Sequence, residues 1–204
     1  FFEQWGSAGI AVLERTITAI RAAGGLTLLD VKRGDIGSTM TAYAAAYLGD
    51  GPLGVDAITV SPYLGFDALG AAYDLAEAGD RGVYVLARTS NPEGGDLQLG
   101  RTAAGAVVAQ SIVDQAAARN RASGLGAVGL VVGGTHESLG IDLGAYTGSI
   151  LVPGVGAQGG TISGVGAAFA GTRALILPSA SREVLLAGPT PAGLRAAVTR
   201  ITSG

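Results

Sequence analysis

The chain has 204 residues, 48% of them hydrophobic and 14% charged, with a net charge of -3, 35 glycines and no cysteine. That balance excludes a disulfide framework, thiolate chemistry and a globally basic surface for nucleic acid, and no apolar run approaches the roughly 18 residues of a membrane span. The expectation is one cytoplasmic domain over residues 1–204 with a sizeable core and no nucleic-acid or membrane partner.

The sequence opens "FFEQWGSAGI", without an initiator methionine, and leads into a helix predicted over residues 9–23. Short runs rich in leucine and β-branched residues then recur, predicting strands at 26–30, 55–60, 82–87, 127–132, 149–153 and 174–178. Several are apolar at consecutive positions, as strands covered on both faces of a parallel sheet are. Between them, alanine-rich stretches predict helices at 38–48, 67–78, 102–122 and 161–169. Asp67 is the expected N-cap of its helix, and Thr190 followed by Pro191 marks the start of a final one. Repeated βα units with right-handed crossovers give either an open doubly wound sheet or a closed (β/α)8 TIM barrel. Six strands do not close such a barrel. The barrel reading therefore places about two βα units before Phe1 and makes the chain the C-terminal three-quarters of a barrel.

Chemistry gathers at three strand ends. In "LLDVKRGDIGSTM", residues two apart on an extended strand share a face, so Asp30 and Lys32 are neighbours. Two unit charges about 4 Å apart at an effective dielectric near 20 interact by about 4 kcal/mol before desolvation, which holds the lysine protonated. Asp35 follows the turn expected at Gly34. A surface salt-bridge cluster is the alternative reading.

In "LVPGVGAQGGT", Gly154, Gly156 and Gly159 fit G-x-G-x-x-G after a strand. A dinucleotide site would need an acidic residue at the end of the next strand and a place at the first βα turn, and neither holds, so only a phosphate cradle with Gln158 as a neutral donor is kept. In "LPSASREVLLAG", Ser179 or Ser181 caps a short helix with Arg182 in its first turn, where a cation opposes the helix dipole unless an anion receives it. Ser90 and Asn91 in "LARTSNPEGG" can present polar groups to a ligand. His136, the sole histidine, reads as a solvated loop residue.

In this order, "DVKRGDIGST", "SPYLGFDAL", "LARTSNPEG", "LVPGVGAQGG" and "SASREVL" resemble the orotidine 5'-monophosphate decarboxylase family, specifically its longer bacterial subgroup, over nearly the whole chain. The resemblance implies a homodimeric (β/α)8 barrel that converts orotidine 5'-monophosphate to UMP and carbon dioxide in pyrimidine biosynthesis, without metal or organic cofactor. It implies Lys32 as proton donor to the carbon that loses its carboxylate, with Asp30 beside that carboxylate. Asp35 and Thr39 would reach across the dimer interface, the first holding the lysine network and the second touching ribose. Ser90 would recognise the pyrimidine ring, Gln158, Gly159 and Arg182 would bind the phosphate end, and Pro153 would line the pocket of the departing carboxylate. The family's further lysine and its first-strand aspartate would precede Phe1, which implies little activity for residues 1–204 alone. Two other functions stay open: a magnesium-dependent sister decarboxylase acting on a sugar phosphate, and a non-catalytic barrel that binds a phosphate ligand.

Overall fold

The computed structural model describes residues 1–136, 138–155 and 162–203. It is an α/β structure with six parallel strands whose order in the sheet follows the chain. The strands are β1 (Leu28–Arg33), β2 (Ala57–Val60), β3 (Gly82–Arg88), β4 (Val128–Val132), β5 (Ser149–Pro153) and β6 (Leu175–Ser179). The α-helices among the described residues are α1 (Gly6–Ala22), α2 (Gly37–Leu48), α3 (Gly70–Ala78), α4 (Gly94–Gln98), α5 (Val108–Ser123), α6 (Ile162–Ala168), α7 (Arg182–Leu185) and α8 (Pro191–Ser203). Two compact units divide the chain, the first formed by Phe1–Val85 with Ser123–Val128 and the second by Leu86–Ala122 with Gly129–Gly204.

In the first unit, helix faces set by 3.6-residue periodicity cover the strands: Leu13 and Ile17 on α1, Met40, Ala44 and Leu48 on α2, and Ala72, Tyr73 and Ala76 on α3 are buried. Ile58 and Val60 on β2, with Val83 and Val85 on β3, are fully buried at alternate positions, and Thr59 is fully buried between the first pair. The ring of Phe66 packs on Tyr73 with centroids 4.8 Å apart. In the second unit Ile112 and Val113 of α5, Leu130 and Val132 of β4, Ile150 and Val152 of β5, and Val165 and Phe169 form the core. All five residues of β4 are buried, as a doubly covered parallel strand requires.

The expected strand at 149–153 is β5 itself. Others differ at their ends for local reasons. The carboxylate of Asp56 accepts the N–H of Thr27 at 2.7 Å and its hydroxyl at 2.9 Å, and the N–H of Val55 donates to the Tyr47 carbonyl at 2.9 Å. Those groups are committed outside the ladders, so β1 begins at Leu28 and β2 at Ala57. At its other end β1 runs past Asp30 to Arg33, whose carbonyl accepts the N–H of Ser61 at 2.8 Å.

Three helix expectations are corrected. Asp67 caps nothing: it opens a 3-10 turn, Asp67–Leu69, and α3 starts at Gly70 without a side-chain cap. The helix expected from residue 102 begins only at Val108. Gly105 at φ 84 closes a turn in which Thr102 N–H donates to the Ala106 carbonyl at 2.8 Å, and a left-handed residue cannot continue a right-handed helix. Ser181 occupies the N-cap position of α7 without a side-chain hydrogen bond. Thr190 is the expected cap of α8, its Oγ1 accepting the N–H of Gly193 at 3.2 Å.

Candidate functional site

The ladder between β1 and β2 is irregular where the charges sit. Leu29 pairs with Ile58 and Arg33 with Val60, so Asp30, Val31 and Lys32 together face Thr59. This is a bulge, a device that re-aims side chains at strand ends. Lys32 adopts φ 46, outside the range of an extended strand, and its N–H donates to Thr59 Oγ1 at 3.0 Å. The same hydroxyl donates to Asp30 Oδ1 at 2.8 Å, while Lys32 Nζ donates to Asp30 Oδ2. Thr59 thus holds the carboxylate by one oxygen and leaves the other for the ammonium.

The side chains of Lys32 and Asp30 are 53% and 58% exposed. Solvent screening at that exposure reduces the expected attraction of about 4 kcal/mol to the roughly 0–1 kcal/mol of a surface pair. So small a contribution does not account for a left-handed lysine, which typically costs about 1–3 kcal/mol. The bulge fits a presented charge pair better than a stabilising one.

The turn after β1 is tight for a different reason than chain reversal. Gly34 has no left-handed backbone, but a Cβ there would lie 2.3 Å from the Ser61 carbonyl oxygen. Only glycine fits that approach. Beyond it Asp35 is half-buried and its Oδ1 accepts the N–H of Ile36 at 2.7 Å. Thr39 is exposed in the first turn of α2. Arg33, next to the bulge, is fixed by an ion pair with Glu3, a hydrogen bond to the Tyr47 hydroxyl at 3.3 Å and the faces of Tyr43 and Tyr47. Burial opposes its charge, and the hydrogen bonds to Glu3 and Tyr47 outweigh that, raising its pKa.

The second unit carries the remaining expected residues. Ser90 is half-buried just beyond β3, Pro153 ends β5, and Arg182 is exposed as the first residue of α7. Gln158 and Gly159 lie outside the described residues.

His136 is not the solvated residue expected from sequence. Its Nε2 lies 2.8 Å from the Thr89 carbonyl and its Nδ1 3.5 Å from Arg88 Nη2. Arg88 is 6% exposed and also donates to the Thr89 carbonyl and to Gln98 Oε1, both at 3.1 Å. Sequence reasoning missed Arg88 and Thr59, although each is a polar residue within or ending an apolar run, which is the available signal. An open groove of about 660 Å³ in this unit is lined by Gln110, His136, Ser138, Asp142 and apolar neighbours, with none of the expected site residues. Gln110 bridges the backbone of Asp142 across it, accepting its N–H at 2.6 Å. Among the described residues no group of three His, Asp or Glu side chains could hold a metal ion, and no helix is long and apolar enough to cross a membrane.

Comparisons with known proteins converge on one family. The model of the orotidine 5'-phosphate decarboxylase / HUMPS family matches residues 1–197. An orotidine 5'-phosphate decarboxylase of Salinispora arenicola is 55% identical over 203 residues, 98% of this chain and 73% of that protein. The Salinispora tropica enzyme of the same name is 53% identical over the same shares. A crystal structure of a Streptomyces avermitilis protein assigned as an orotidine 5'-phosphate decarboxylase superposes with a TM-score of 0.92 at 46% identity, covering 99% of this chain and 72% of that one. The OMP decarboxylase of Leishmania donovani gives 0.76 at 32% identity, covering 100% and 77%. With the strand-end residues in this order and these relatives beside them, the chain belongs to the orotidine 5'-phosphate decarboxylase / HUMPS family.

Proposed function

We propose that this protein decarboxylates orotidine 5'-monophosphate to UMP, with Lys32 as the proton donor. The observation that carries the reading is the bulge that presents Lys32 and Asp30 together at the end of β1, in a chain 55% identical to a named decarboxylase. Breaking the bond to the carboxylate releases carbon dioxide and leaves the electron pair on the ring carbon. The Lys32 ammonium stabilises that developing charge, gives the carbon a proton and regains one from water. Asp30, oriented by Thr59, holds the ammonium and opposes the substrate carboxylate, so the interaction favours the state in which the carboxylate has left.

The remaining roles follow the family resemblance: Ser90 for the pyrimidine ring, Pro153 for the departing group, and Gln158, Gly159 and Arg182 for the phosphate. A charged phosphate contact remote from the reacting carbon supplies binding energy that can order the reacting end. The reading extends to a cytoplasmic homodimer of closed single-domain (β/α)8 barrels with no cofactor, in which Asp35 and Thr39 serve the partner's site. Exposed Ile36 between them, and exposed Tyr63 and Leu64 after β2, suit an apolar interface. Six parallel strands in chain order suit the barrel.

The test is absorbance-monitored loss of orotidine 5'-monophosphate by the full-length protein, with and without EDTA. Turnover indifferent to EDTA is expected. Turnover of a sugar phosphate that EDTA abolishes would replace this reading with the magnesium-dependent one, and nucleotide binding without turnover would leave a binding barrel.

A further inference from the structure

Thr89 has every polar group engaged. Its N–H donates to Gln98 Oε1 at 3.0 Å, and its hydroxyl accepts from Gln98 Nε2 and donates to Asn91 Oδ1, each at 2.7 Å. Its carbonyl lies 2.8 Å from His136 Nε2 and 3.1 Å from Arg88 Nη1. A carbonyl only accepts, so the proton of the imidazole is on Nε2, and the lone pair of Nδ1 faces Arg88 Nη2. One tautomer satisfies both contacts.

The residue that follows is confined from behind. A Cβ at Gly133 would lie 2.7 Å from the nitrogen of Ser90 and 2.8 Å from its Cα and Cβ, while the N–H of Gly133 donates to the Arg88 carbonyl at 2.7 Å. Ser90 therefore has a bound residue on its N-terminal side and a glycine against its backbone. Among the described residues the hydrogen-bond partners of the buried Arg88 guanidinium include no carboxylate. Burying a cation this way is an expensive means of merely tethering a loop, which apolar packing does at lower cost. What the hydrogen bonds add is orientation.

We propose that Arg88, Gln98 and His136 are positioning residues that clamp Thr89 and, with Gly133, fix Ser90 for recognition of the pyrimidine ring. This rests on the role of Ser90 in the proposed function.

His136 is the sole histidine, so nitrogen-15 imidazole NMR of the full-length protein reads it without ambiguity. The Nε2–H tautomer is expected, and the Nδ1–H tautomer would overturn the clamp. In kinetics, His136→Leu should raise KM for orotidine 5'-monophosphate about tenfold with kcat within about twofold, and leave inhibition by ribose 5-phosphate, which lacks the ring, unchanged. His136→Gln keeps an N–H donor near the place of Nε2 and should return KM to within about threefold of wild type. A wild-type KM in His136→Leu, or an equal loss for ribose 5-phosphate, would sink the clamp while leaving the decarboxylase reading intact. Absence of turnover in the wild-type protein would instead sink that reading, and the assignment of Ser90 with it.

Discussion

Thr59 donates its hydroxyl hydrogen to Asp30 at 2.8 Å from the neighbouring strand, and the oxygen of that hydroxyl accepts the backbone N–H of Lys32 at 3.0 Å. One buried hydroxyl thereby sets the orientation of the acid and the backbone of the lysine.

Thr59→Val keeps the shape and removes both bonds. The Lys32 N–H loses its partner, which should cost about 1–3 kcal/mol of stability by urea denaturation. Displacement of the charge pair should lower kcat by about tenfold to a hundredfold. Thr59→Ser should recover most of the activity, and a Thr59→Val protein with wild-type kcat would show that the hydroxyl has no part in catalysis.

Lys32 and Arg182 should separate chemistry from binding. Lys32→Ala is expected to lower kcat by at least about a thousandfold while UMP binding stays measurable by calorimetry. Arg182→Ala should weaken UMP binding by about tenfold to a hundredfold, the equivalent of about 1.5–3 kcal/mol for a charged contact. Unchanged turnover in the first variant, or unchanged affinity in the second, removes that residue from its role.

Gly34→Ala places a methyl group 2.3 Å from the Ser61 carbonyl oxygen, closer than any backbone relaxation-free contact allows. Overpacking against backbone should lower stability by about 1–3 kcal/mol and move the turn that carries Asp35. Denaturation midpoints of Gly34→Ala and wild type measure the first effect directly.

Acid should act through Asp56. Burial pushes its carboxyl up, the N–H and hydroxyl of Thr27 outweigh that, and the pKa stands below its ordinary 3.8. For a depressed carboxyl the stabilisation is present above the unfolded value and is lost as pH falls through the folded one. Asp56→Asn should therefore be less stable than wild type at neutral pH, and the two urea midpoints should converge as pH drops below 3.8. Parallel curves would count against this linkage.

The sheet was largely legible because runs such as Ser149–Pro153 and Val128–Val132 state their burial locally. What was hidden depends on partners distant in sequence. Nothing around Lys32 announces a bulge, since the count of residues between Leu29 and Arg33 has meaning only against the shorter span from Ile58 to Val60. The neighbourhood of Asp30 and Lys32 was foreseen from strand alternation, yet the structure brings them together by breaking that alternation. The local sequence around His136 points to a solvated residue because its acceptor, the Thr89 carbonyl, is 47 residues away. Alanine content extends the expected helix over 102–122 and masks Gly105, the glycine that turns the chain. The sequence marks Gly34 as a tight point, but its constraint is the carbonyl of Ser61 and not its own torsion.

On the roles proposed for Lys32 and Asp30, the mismatch between Leu29–Arg33 and Ile58–Val60 makes chain length itself a determinant of activity. Deleting two residues there would give a flush pair of strands and a firmer sheet, and would erase the charge pair to which the proposed reaction is assigned. Selection for rigidity and selection for turnover pull in opposite directions at this spot, so an insertion or deletion scan of the segment should uncouple melting temperature from rate.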